Sequence, residues 1–148
     1  MRKILMTCLL AWLPLQAMAQ ALDAGVVVGN ESALSIAIVP MPYQGSRTAP
    51  AHEVAKVIRD DLNQSGQFKS LEEAAITEKP LRGADVRFAE WKKLKQDFLV
   101  VGRIVDGADG NFSIQYELMD VAKQQSLLSL SMPARASNVS RAAHQVAD

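Results

Sequence analysis

Cysteine is nearly missing from this chain, which has one, Cys8, among 148 residues. That excludes an intrachain disulfide and any site built from several thiolates. An excess of one charge is missing too, since sixteen Lys and Arg balance sixteen Asp and Glu. Such a chain exerts no general pull on phosphate backbones or anionic lipid, and nucleic acid is not an expected partner. The apolar run Ile4 to Leu15 is twelve residues long, or about 18 Å as a helix against roughly 30 Å of bilayer hydrocarbon. It is too short for a membrane anchor, and Pro14 interrupts it. There is no internal repeat, no low-complexity tract and no Gly-x-Ser-x-Gly elbow. Gly102, Gly107 and Gly110 make no phosphate-binding fingerprint, because no helix is predicted after them.

What is present starts with an address. Arg2 and Lys3 precede the apolar run, and Ala17-Met18-Ala19 follows it with small residues at the positions a signal peptidase reads. The pattern predicts a secretory signal peptide over residues 1–19, cleaved after Ala19 or Ala21. Cys8 lies too early for a lipoprotein signal, before most of the apolar run has been used. Without Arg2 and Lys3, fourteen basic residues face sixteen acidic ones, a formal charge of −2. The roughly 129 residues left are the usual size of one domain with a single core.

Residues 20–33 carry small residues at many positions and a turn-like Gly29-Asn30 after Val26 to Val28, which predicts an extended amino-terminal segment. Leu34 to Val39 reads as a buried strand ended by Pro40 and Pro42. Pro50 suits a first helical turn, Val54, Val57, Ile58 and Leu62 share one helix face, and Lys56, Arg59, Asp60 and Gln64 lie off it. Gly66 is the natural stop, and Gln67 to Leu71 would be the next strand. Asp85 as cap, with Phe88, Trp91, Leu94 and Phe98 at spacings of three and four, predicts a second helix. Leu99 to Val105 is an apolar strand. Phe112, Ile114, Tyr116 and Leu118 alternate with polar residues, as do Leu128, Leu130 and Met132, which predicts an antiparallel meander with one buried face. Ser137 or Asn138 would cap a last helix with Val139, Ala142, Ala143 and Val146 on its apolar face, cut short at Asp148.

Chemistry-bearing residues do not converge in this reading. His52 and His144 lie on different predicted helices without a ligand set at metal spacing. Asp60 and Asp61 are adjacent on a helix, so their carboxylates point about 100° apart. Asp106 to Asn111 lacks oxygen ligands at Ala108 and Gly110 and reads as a hairpin turn rather than a calcium loop. Arg87, Lys92, Lys93 and Lys95 share a helix with the Trp91 stripe and read as its solvated faces. No catalytic, cofactor or metal residues are therefore expected.

The ordered motifs carry more information. Ile36-Ala37-Ile38-Val39-Pro40, Asp61-Leu62-Asn63-Gln64-Ser65-Gly66-Gln67-Phe68, Trp91, Val100-Val101-Gly102, Tyr116 to Val121 and Ala143 to Asp148 together resemble the amino-terminal domain of the TolB family. The resemblance implies an α/β fold: a mixed five-stranded sheet with two main helices on one face, similar to the anticodon-binding domain of class II tRNA synthetases, plus a truncated carboxy-terminal helix. Transfer-RNA binding does not come with that likeness.

It further implies a periplasmic, non-enzymatic scaffold of the Tol-Pal system, without cofactor or small-molecule substrate, that serves envelope integrity and outer-membrane constriction at division. In the family, the mature amino-terminal segment binds the inner-membrane protein TolA, and a β-propeller binds the lipoprotein Pal. The sequence departs from the family in having no propeller, so it reads as a fragment or a short form whose Pal binding requires the missing part. The expected organisation is a signal over 1–19, an interaction segment over 20–33 and the α/β domain over 34–148. Leu22, Val26, Val27, Val28, Gly29 and Asn30 are the candidate TolA-type contacts, offered as a strand added to the edge of the partner's sheet. Folding back of that segment onto the domain would compete with binding. The alternative is a stand-alone periplasmic ligand-binding or lipoprotein-cofactor domain.

Overall fold

The computed structural model describes residues 32–148. The predicted signal peptide and residues 20–31 of the predicted interaction segment lie outside the described residues. Five strands, β1 (Leu34–Ile38), β2 (Phe68–Ser70), β3 (Phe98–Asp106), β4 (Phe112–Asp120) and β5 (Gln125–Ala134), form one sheet. Their order is β2-β1-β3-β4-β5. β1 runs parallel to both neighbours, with Ile36 opposite Ser70 on one side and Phe98 on the other. From β3 onward the sheet is an antiparallel meander. The continuous apolar run of β3 is explained by its central place, since Leu99 and Val101 are wholly buried on one face and Val100 and Ile104 nearly so on the other.

Alternation along the strands separates two cores. On one face Ile36, Ile38, Val100 and Ile114 meet Val54, Ile58 and Leu62 of α1 (Val54–Gln64) and Val139, Ala142 and Ala143 of α3 (Val139–Ala147). On the other, Ala37, Val39, Leu99, Val101, Met119 and Val121 meet Trp91 of α2 (Phe88–Lys93). The expected fold class holds: a mixed five-stranded α/β sheet with two helices sharing a face. The companion of α1 is α3, however, and the Trp91 helix lies on the opposite face. Helix periodicity identifies the apolar side of a helix but not which face of a sheet receives it.

Other local expectations change for identifiable reasons. The predicted second helix stops at Lys93, and Lys95 takes a left-handed φ of 55°. The Ser35 backbone N–H and hydroxyl donate to the Asp97 carboxylate at 2.9 and 2.7 Å and draw the chain into β3. Phe98 consequently opens β3 and packs on the α1 and α3 side, away from Trp91. Asp85 ends a short 3₁₀ turn (Gly83–Asp85) instead of capping α2. Pro50 lies before α1, whose N-cap is Glu53. Arg59, expected on the wet side of α1, is buried, donating to the Ile38 carbonyl at 3.2 Å and pairing with Glu73 at 3.1 Å. Strand β5 takes its place in the meander, yet Leu128 and Leu130 remain exposed because nothing among the described residues flanks its outer edge.

Candidate functional site

The most specific motif, Asp61 to Phe68, closes α1 onto β2. The Ser65 hydroxyl donates to the Leu62 carbonyl at 2.7 Å and accepts from the Gln67 N–H at 3.2 Å. Gly66 adopts a φ of 71°, a conformation that L side chains disfavour. The Asn63 amide then reaches across the turn, donating to the Ser70 hydroxyl at 2.7 Å while its oxygen accepts the Ser70 N–H at 2.9 Å. Leu62 and Phe68, on either side of the turn, enter the same core. Both hydrogen bonds of the Ser65 hydroxyl go to the backbone of the turn, which gives it the role of shaping that turn.

The two adjacent carboxylates have separate partners. Asp60 pairs with Lys56 at 2.6 Å, whereas Asp61 lies 2.5 Å from His144 of α3. Arg87, Lys92, Lys93 and Lys95 are all exposed. Among the described residues, no three His, Cys, Asp or Glu side chains are grouped so as to hold a metal ion.

The densest polar cluster surrounds Asp106 at the end of β3. Tyr43 donates to its carboxylate at 2.5 Å, the Ser46 N–H at 3.0 Å and Arg47 Nε at 2.9 Å. The Arg47 guanidinium also donates to the Gly110 and Asn111 carbonyls and lies 4.9 Å above the Phe112 ring. The Ser46 N–H, then the Tyr43 hydroxyl and Arg47, hold the Asp106 carboxyl well below the usual carboxylate range. With every acceptor engaged, the cluster fastens the loop after β1 to the β3-β4 hairpin and offers no free base or nucleophile.

An apolar groove of about 340 Å³ lies on the α1 and α3 face. It opens where the chain enters β1 at Leu34 and where α3 ends, with Phe68, Phe98, Leu118 and Leu128 along its walls. Leu34 is 46% exposed at this mouth. Sequence reasoning missed the groove because its walls come from seven elements, the five strands with α1 and α3, each apolar for its own reasons. The predicted contacts Leu22, Val26, Val27, Val28, Gly29 and Asn30 lie outside the described residues.

Comparison with known proteins gives concordant likenesses. The family model for the TolB amino-terminal domain matches residues 22–127. The chain is 49% identical over 138 residues to the Tol-Pal system protein TolB of Xanthomonas oryzae pv. oryzae strain PXO99A, covering 92% of this chain and 31% of that protein. It is 50% identical, with the same coverage, to that of Xanthomonas campestris pv. campestris strain B100. The chain thus spans about a third of the length of these curated relatives. Among solved structures, TolB from Acinetobacter baumannii superposes with a TM-score of 0.60 at 30% identity, over 78% of this chain and 27% of that one. The LpoB carboxy-terminal domain from Escherichia coli has a TM-score of 0.54 at 13% identity, over 72% and 84% of the two chains, a likeness of fold alone.

Proposed function

Because this chain belongs to the TolB family of Tol-Pal system proteins through its amino-terminal domain, we propose that it is a non-enzymatic periplasmic scaffold that links inner-membrane TolA to outer-membrane Pal. Its work would be mechanical, sustaining envelope integrity and drawing the outer membrane inward at division. The observation that carries this reading is the family match, which begins at residue 22, inside the predicted interaction segment. The described polar clusters support it: Asp106, Asp97 and Asp61 are all engaged in fastening elements together. Among the described residues no helix is long and apolar enough to cross a membrane.

In this proposal Leu22 and Val26 to Asn30 add as a strand to the sheet edge of TolA, with main-chain hydrogen bonds giving affinity and the apolar side chains giving register. Pal is engaged only with a propeller supplied. The test is calorimetric titration of residues 20–148 against the periplasmic carboxy-terminal domain of TolA, repeated with a version starting at Leu34. Saturable binding that vanishes in the shorter version is the expected result. Binding retained by the shorter version would move the contact onto the folded domain, and no binding by either would reject the assignment for this chain.

A second reading, a domain that holds a small apolar envelope molecule, draws on the groove between Leu34 and Leu128. It predicts that a long-chain fatty acid raises the melting temperature, which the scaffold reading does not.

A further inference from the structure

The β3-β4 hairpin carries aspartate followed by glycine twice, as Asp106-Gly107 and Asp109-Gly110. That dipeptide permits a reaction of the backbone with its own side chain, because glycine has no Cβ to shield its amide nitrogen. The glycine nitrogen attacks Cγ of the protonated carboxyl, the new C–N bond closes a five-membered succinimide, and the displaced hydroxyl leaves with the amide proton as water. Water then opens the ring. Cleavage at Cγ restores aspartate, whereas cleavage at the main-chain carbonyl leaves isoaspartate, whose peptide bond runs through the side chain and whose α-carboxylate is free. The composition of the chain is unchanged.

The two pairs have opposite surroundings. The Asp106 carboxylate accepts from the Tyr43 hydroxyl, the Ser46 N–H and hydroxyl, and Arg47 Nε. Its nucleophile is occupied as well, since the Gly107 N–H donates to the Asn111 carbonyl at 2.9 Å. Ring closure would break all of these contacts. The Ser46 N–H foremost, then the Tyr43 hydroxyl and Arg47, also hold the carboxyl well below the usual range and so deprive it of the protonated form that loses water. Asp109 is exposed and, among the described residues, makes none of the side-chain hydrogen bonds that hold Asp106. It stands at φ 54° and ψ 37° within the short turn Ala108–Gly110, beside Gly110 at φ 74°. Left-handed backbone is disfavoured for an L residue, so the rotation that carries Cγ toward the Gly110 nitrogen starts from a strained state.

We propose that Asp109-Gly110 is a site of spontaneous isoaspartate formation, from which the fold protects Asp106-Gly107. The consequence reaches the loop after β1. Isoaspartate inserts a methylene into the backbone just before Gly110, whose carbonyl, with that of Asn111, receives the Arg47 guanidinium. Lengthening the chain there shifts both carbonyls and loosens Arg47 and, through Asp106, Ser46. This inference does not depend on the partner assigned above.

The test ages the purified chain at neutral pH, once folded and once in guanidinium chloride. Isoaspartate is then located by methyl transfer from an isoaspartyl carboxyl methyltransferase and by electron-transfer fragmentation of the digested peptides. The denatured chain should form it at both aspartates, and the folded chain at Asp109 about tenfold or more faster than at Asp106. Tyr43→Phe combined with Arg47→Ala should open Asp106 to the reaction. Gly110→Ala should slow the reaction at Asp109 about tenfold or more. Asp109→Glu, which keeps the charge and the glycine but would need a six-membered ring, should abolish it. Amide exchange at Ser46 should quicken in the aged, folded parent and not in aged Asp109→Glu. A folded chain that forms no isoaspartate at Asp109, or forms it as fast at Asp106, would overturn the proposal.

Discussion

His144 Nδ1 lies 2.5 Å from Asp61 Oδ2, a contact between residues 83 positions apart that ties α3 to α1. Both helices sit on the same face of the sheet, and this pair is a polar link across their seam. Asp61 is partly sheltered and His144 more than half exposed, so the link contributes like a surface pair. A double-mutant cycle with Asp61→Ala and His144→Ala, followed by urea unfolding, should give a coupling of about 0.5 kcal/mol.

Acid should loosen the loop after β1. Asp106 is held well below the usual carboxylate range by the Ser46 N–H, then Tyr43 and Arg47, and Asp97 is lowered by the Ser35 hydroxyl and N–H. A carboxylate whose folded value is depressed contributes stability that is complete above its unfolded value, about 3.9, and is lost as pH falls through the folded one. Melting temperature should therefore decline below about pH 4, and Asp106→Asn should flatten part of that decline.

Two glycines should respond differently to alanine. At Gly66 an added Cβ would have open space, so Gly66→Ala costs only the left-handed backbone, about 1 kcal/mol, and Gly66→Asn less. At Gly102 an added Cβ would lie 2.5 Å from the Gln115 carbonyl oxygen and 3.2 Å from Met41 Sδ, in the middle of the sheet. Gly102→Ala should destabilise by about 2–3 kcal/mol. Equal effects in chemical denaturation would contradict this account.

Trp91 is 1% exposed and its indole N–H has no hydrogen-bond partner among the described residues. Its contribution is then packing over Ala37, Val39, Leu99 and Val101. Trp91→Ala should cost about 3–5 kcal/mol, whereas Trp91→Phe, which loses no hydrogen bond, should cost clearly less. Unfolding followed by circular dichroism would separate the two.

Much of this architecture is legible in the residues. The Phe112 to Leu118 alternation, the apolar run of β3, the Val54 to Leu62 stripe and the Gly66 stop all report local geometry, and local geometry is what sequence periodicity records. Placement depends on longer contacts. Phe98 continues the three-and-four spacing of Trp91 and Leu94, yet the hydrogen bonds of Asp97 to Ser35 assign it to a strand. The burial of Arg59 depends on the Ile38 carbonyl and Glu73, neither of which is its neighbour in sequence. The groove was hidden for the same reason, being a product of seven elements brought together. The reading of residues 22 to 30 as contacts rests on family likeness alone, because valine and glycine carry no chemistry of their own.

The parallel partner of β1 has a consequence for the order in which the molecule is made. Ile36 pairs with Phe98, and at roughly 5–20 residues per second the ribosome needs about 3–12 s to travel between them. During that interval Ile36 to Val39, all nearly or wholly buried in the finished sheet, have only the three residues of β2 as a strand partner. The meander strands, by contrast, follow one another almost without pause. Nascent chains halted with Val105 still inside the exit tunnel should therefore be cut by protease near Ile38, and chains extended past Ala134 should resist. A chaperone serving this protein during synthesis would have its binding site at β1, the first of the described strands to emerge.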